Sequence, residues 1–192
     1  LDLSRAAQRL SEVHAGRTRV LNYSGSGIET TFTQGEDACL AALVPTLPQT
    51  DAKQLLVIGA LAAVVEDQFS RLFADLGIGP VHYLPARKAG DMPSVGPNTK
   101  MLLAQPFLTE TARLLEKRGV ERLTAPFPLG AEGTTAWLQA AADAFGIDAP
   151  RVAAVTGAGR ARAAAAVARH REKLEGKRLF LFSTGTGLAP FM

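Results

Sequence analysis

At 192 residues, 47% apolar and 20% charged, the chain is long enough for one α/β domain, or one with a piece of another, and can bury a core. Its formal charge of +3 is small, no apolar run reaches the length of a membrane span, and no signal-peptide pattern opens it. The single cysteine, Cys39, excludes an internal disulfide and a self-contained zinc or iron–sulfur site, and fits a reducing cytoplasm.

Leu1 to His14 carries Leu3, Ala6, Ala7, Leu10 and Val13 at helical spacing, with Ser4 as the expected cap and Gly16 as the stop. Thr18 to Tyr23 reads as a first strand, followed by the loop Ser24-Gly25-Ser26-Gly27, the polar run from Glu29 to Gln34, and a helix from Gly35 to about Leu43. Gln54 to Leu61 is a continuous apolar run, the mark of a strand buried on both faces of a parallel sheet. Glu66 to Leu76 is an amphipathic helix with Phe69, Leu72, Phe73 and Leu76 inward, ended by Gly77. A strand from Val81 to Leu84 leads into a long loop, Pro85 to Asn98, of the kind that is often functional or mobile. A strand from Lys100 to Ala104, a helix from Thr109 to Arg118, a strand from Val120 to Ala125 and a helix from Thr134 to Phe145 come next. Asp148 caps a last helix running to about Leu174, with a break expected at Gly157-Ala158-Gly159, and a final strand covers Arg178 to Phe182. This alternation predicts an α/β fold: a Rossmann-like, three-layer domain with a mostly parallel sheet. The expected organisation is an end piece or linking helix over 1–16, the domain over 17–182 and an atypical tail over 183–192.

The Ser/Gly loop is the first candidate site, because a strand-to-helix loop at the carboxyl edge of an open sheet is where ligands bind. Gly25 and Gly27 either cradle an anion with backbone N–H groups or form a plain glycine turn, and the stretch is neither GxGxxG nor a P-loop. Glu29 lies in the loop itself, whereas Glu36 and Asp37 are expected in the first turn of a helix, favouring its dipole rather than moving protons. Cys39 reads as a buried, inert thiol, Trp137 as core, and His82 as a lone histidine. Arg160, Arg162, Arg169, Arg171 and Lys173 share one late helix without stacking residues, which makes a solvated face and not a nucleic-acid site.

Several long stretches closely resemble one family. They are VLNYSGSGIETTFTQGED (Val20–Asp37), LLVIGALAAVVEDQF (Leu55–Phe69), Pro80–Asn98, and APFPLG (Ala125–Gly130) with Gly133-Thr134-Thr135 and Trp137-Leu138. In them the chain resembles the N subunits of the light-independent (dark-operative) protochlorophyllide reductases, which are nitrogenase-like, and a nitrogenase-component-1 type of Rossmann-like domain is what the resemblance implies. It also implies an ATP-dependent ferredoxin:protochlorophyllide oxidoreductase of chlorophyll and bacteriochlorophyll biosynthesis in photosynthesis, reducing the ring D C17–C18 double bond. The N subunit pairs with a B subunit as an N2B2 heterotetramer holding a [4Fe–4S] cluster, and an L protein that hydrolyses ATP supplies electrons. The family's cluster cysteines lie upstream of the segment equivalent to Leu1, so this chain is expected to hold no cluster alone. Within the resemblance, Tyr23, Ser24, Gly25, Ser26, Gly27 and Glu29 are the expected substrate-binding residues, with no catalytic residue or metal ligand assigned. The chain starts with Leu, and its last ten residues, STGTGLAPFM, resemble instead the nucleotide turn of ferredoxin–NADP reductases, so it is expected to be a cut or joined segment. The alternatives are a stand-alone nucleotide- or anion-binding module, a fragment of another nitrogenase-like subunit or, from the tail alone, a flavin-reductase fragment.

Overall fold

Gln54–Ile58 is the run with no face that tolerates water, and it forms β1, buried at every position. The computed structural model describes residues 2–14, 17–23 and 31–178. In it β1 lies between β2 (Val81–Leu84) and β3 (Thr99–Leu103), and β4 (Glu121–Arg122) pairs with the far side of β3. All three pairings are parallel, with Leu56 opposite both His82 and Met101. The order β2-β1-β3-β4 is that of the doubly wound sheets.

Strand alternation sends Leu56, Ile58, Met101 and Leu103 to one face and Leu55, Val57 and Leu102 to the other. The first face is covered by α2 (Phe32–Leu43) and α4 (Thr109–Glu116), the second by α3 (Ala63–Leu76), α5 (Gly130–Phe145) and α6 (Ala149–Leu174). Right-handed crossovers dictate this division: β1-α3-β2 moves one way across the sheet and β3-α4-β4 the other, so the two helices land on opposite faces. On the second face Trp137 is fully buried against the rings of Phe69 and Phe73, and its indole N–H donates to the Leu103 carbonyl at 2.9 Å. A core aromatic whose polar atom is satisfied in this way is a packing element.

Two contacts join distant elements. Arg118, just past α4, donates to the carbonyls of Val44 (2.7 Å) and Leu47 (2.8 Å), which ties the backbone after α2 to the end of α4. Gly96 packs against the backbone of Thr50, where a Cβ would lie 2.0 Å from the carbonyl oxygen.

The expected α/β class and parallel sheet are present, and several boundaries move. No strand forms over 18–23. The apolar run there is only Val20 and Leu21, both half-buried, and the Val20 N–H is taken by Ser11 Oγ of α1 (Leu3–Val13) at 2.9 Å. Asp2, not Ser4, caps α1. Helix α2 starts at Phe32 and not Gly35, because Thr31 and Gln34 make a reciprocal capping box. β1 stops at Ile58, where Gly59 turns away with φ +139°, and β4 is two residues long. Helix α6 is unbroken through Gly157 and Gly159. Part of the long loop is built into the fold: Val95 is fully buried and bridges Gln49. The last expected strand and the tail lie outside the described residues, apart from Arg178.

Candidate functional site

A cleft of about 860 Å³ opens at the carboxyl edge of the sheet. Its floor comes from three loops: Ala60 after β1, Pro85 after β2 and Gln105 after β3. Here the winding of the chain reverses, with β1 leading to one side and β3 to the other, and in open α/β sheets that reversal leaves a crevice. One wall is a single face of α2, where Phe32, Gly35, Glu36, Cys39 and Leu43 recur at helical spacing. The opposite face of α2 carries Asp37 and Ala41 into the interior. Tyr23 and Thr31 complete the lip.

The lining is mostly apolar, with two convergent polar side chains. Glu36 Oε1 and Gln105 Oε1 both accept from the Ala60 N–H, each at 3.2 Å. Gly59 permits this approach: a Cβ at that position would lie 2.7 Å from Gln105 Oε1, and its φ favours glycine. Burial raises the Glu36 carboxyl above the ordinary carboxylate range; the Ala60 hydrogen bond opposes the shift and the neighbouring Asp37 adds to it.

Asp37 has a different task. It is buried, and its two oxygens accept from the N–H groups of Glu110 (2.8 Å) and Thr111 (2.9 Å) and from the Thr111 hydroxyl (2.6 Å). Those are the second and third residues of α4, whose own N-cap position, Leu108, offers no side-chain acceptor. Asp37 is thus the N-cap of a helix more than 70 residues away. Glu36 and Asp37 lie in the second turn of α2, so the expected role at a first turn fails for both.

Of the expected site residues, Tyr23 lines the cleft, while Ser24, Gly25, Ser26, Gly27 and Glu29 lie outside the described residues. Cys39 is half-buried on the cleft wall rather than sealed in the core. His82 lines a separate depression around Arg87. There Arg87 binds Glu66, Asp67 (2.6 Å) and the Ala63 carbonyl (2.7 Å), while Tyr83 Oη donates to the Glu66 carbonyl at 3.0 Å. Burial lifts the Tyr83 hydroxyl, and its two carboxylates lift Arg87. Arg87 thereby ties the start of the long loop to α3. Sequence reading missed Gln105, which no motif marks, and dismissed Glu36. The signal for Glu36 was the Thr31-x-x-Gln34 box, which moves the helix start by three residues.

A doubly wound parallel sheet with an apolar crevice at its reversal point defines a Rossmann-like α/β domain, and comparison with known proteins places it. The chain belongs to the nitrogenase component 1 type oxidoreductases, whose family model matches residues 1–192. Among its relatives it is 62% identical over 182 residues to the light-independent protochlorophyllide reductase subunit N of Rubrivivax gelatinosus, covering 95% of this chain and 43% of that one. It is 63% identical to the subunit N of Rhodopseudomonas palustris (strain BisB5), with 95% and 43% covered, and 62% identical to that of Rhodospirillum rubrum, with 95% and 42% covered. The chain thus spans under half the length of these curated relatives.

The family implies a [4Fe–4S] cluster. The residues present do not fit one: the sequence has a single cysteine, and among the described residues no group of three or more His, Cys, Asp or Glu side chains could hold a metal ion. Among the described residues no helix is long and apolar enough to cross a membrane.

Proposed function

We propose that this chain is a segment of the N subunit of a light-independent protochlorophyllide reductase, and that its cleft is one wall of the pigment site. The observation that carries this reading is the lip. Among the described residues, the exposed aromatic side chains are Tyr23 (50%) and Phe32 (87%), and both face this cleft. Exposed rings beside an apolar crevice suit a flat, conjugated ligand that stacks on them. Tyr23 and Thr31 flank residues 24–30, which supports assigning Ser24, Gly25, Ser26, Gly27 and Glu29 to the same site.

In this reading the segment also contributes the contact surface for a B subunit in a cytoplasmic N2B2 complex. The cluster is bound by residues outside this chain, ATP is used by the partner L protein, and the ring D C17–C18 double bond is the one reduced. The chain's own residues bind and orient the pigment. The test of the loop is Glu29→Ala in a full-length N subunit assembled with its partners. Lowered pigment binding and activity is the expected result, and retention of both removes the loop from the site.

A further inference from the structure

The cleft holds one group whose chemistry the reading above leaves unused. Glu36 projects from α2 into a largely apolar crevice. One carboxyl oxygen is fixed on the Ala60 N–H at 3.2 Å, and the other has no partner among the described residues. A carboxyl oxygen without a partner, beside an apolar cleft, is expensive when ionised and well used when it carries a proton and meets an acceptor.

We propose that Glu36 is the polar binding residue of the cleft, donating a hydrogen bond from its free oxygen to a carbonyl or carboxyl oxygen on the edge of a flat tetrapyrrole. The proposal rests on the reading of the cleft as a pigment site and adds to it the group that fixes the pigment's orientation. Three further observations bear on it. Desolvation raises the Glu36 carboxyl, which extends the pH range over which it can donate. Gln105 shares the Ala60 N–H and so holds the other side of the same anchor, leaving Glu36 Oε1 engaged and its partner oxygen without a partner among the described residues. Asp37, the next residue, is locked on α4 by three hydrogen bonds, which fixes the part of α2 from which Glu36 projects.

Among the described residues the titratable surroundings are few. On α2 they are Asp37 and Cys39, and on the segment before it Tyr23. The loop residues Gly59, Ala60, Pro85 and Gln105 bring none. Helix α4, packed against α2, brings Glu110 and Arg113, which pair with one another.

The experiment is a protochlorophyllide titration, read by pigment fluorescence, of the full-length N subunit assembled with its B partner. It is made across the pH range above the ordinary carboxylate value for wild type, Glu36→Gln, Glu36→Ala and Phe32→Asp. Glu36→Ala is expected to weaken binding about tenfold, the scale of one lost hydrogen bond in a dry site. Glu36→Gln, whose amide still donates, is expected to bind nearly as wild type at low pH. Wild-type binding weakens as the pH rises and Glu36 ionises, and the Gln variant stays flat. Equal affinities for wild type and Glu36→Ala, or the same pH profile for wild type and Glu36→Gln, overturn the proposal. Phe32→Asp separates the two levels: if it abolishes binding while the Glu36 variants change nothing, the cleft holds pigment and Glu36 does not read it. If Phe32→Asp also binds normally, the cleft itself is misassigned and the proposal falls with it.

Discussion

Removing the Asp37 carboxylate takes the cap from α4, and two backbone donors lose their protein acceptor. In Asp37→Ala the Thr111 N–H, which is buried, loses its acceptor, and the Glu110 N–H, nearer the surface, regains water. Charge-assisted hydrogen bonds contribute about 1.5–3 kcal/mol each, and an orphaned buried donor costs about 1–3 kcal/mol. Allowing for overlap between these contributions, the loss should be roughly 3 kcal/mol, or about 6–12 °C in Tm for a chain of this length. Asp37→Asn keeps one acceptor but turns an NH2 toward the second N–H, for an intermediate loss of about 1–2 kcal/mol. Thr111→Val removes only the hydroxyl, which reaches both the carboxylate and the backbone carbonyl of Asp37, and a double-mutant cycle with Asp37→Ala should be strongly non-additive. Urea unfolding followed by the fluorescence of the single tryptophan, Trp137, reports the sheet–helix core directly. An Asp37→Ala stability within about 0.5 kcal/mol of wild type would refute the capping role.

Gly96→Ala should destabilise by more than about 2 kcal/mol, because the atom in the way is the Thr50 backbone oxygen and not a mobile side-chain end. Gly157→Ala should do the reverse: it lies inside α6 with nothing near a Cβ, so thermal melts should show a gain of about 0.5–1 kcal/mol. Arg118→Ala should cost about 1.5–3 kcal/mol, since it leaves the Leu47 carbonyl without its donor and Val44 with only the Leu47 N–H, and Arg118→Lys should recover only part, since one ammonium does not reproduce the fork. Glu36 should make stability depend on pH. Its folded pKa is raised, so its contribution is fully present below the unfolded value of 4.5 and is lost as the pH rises through the folded one. The stability of Glu36→Gln relative to wild type should therefore rise with pH above about 4.5 in paired denaturation curves, and a constant difference would contradict the burial of that carboxyl.

The core was legible because its signals are local. Leu55 to Ile58 is apolar without interruption, and Phe69, Phe73 and Leu76 keep helical spacing, so both the buried strand and the helix against it follow from periodicity. What sequence could not give was partnership across the chain. Asp37 looks like an ordinary helix-dipole residue until α4 arrives beside it, and Gln105 looks like a loop residue until Gly59 lets it reach Ala60. The 18–23 segment shows the opposite error. Its β-branched and aromatic residues fit a strand, but it pairs with neither edge strand of the described sheet, β2 or β4, and Ser11 takes its backbone instead. The family was legible for another reason: long, low-degeneracy stretches such as Val20–Asp37 carry identity even where they do not reveal geometry.

The most direct test of the pigment site is the alkylation rate of Cys39, which lines the cleft wall and is half-buried. It is measured by peptide mass spectrometry in the full-length N–B complex with and without protochlorophyllide. At a pigment concentration about ten times Kd, occupancy of the cleft should slow Cys39 modification by about tenfold, because only the empty fraction reacts. The same rate with and without pigment would place the pigment elsewhere.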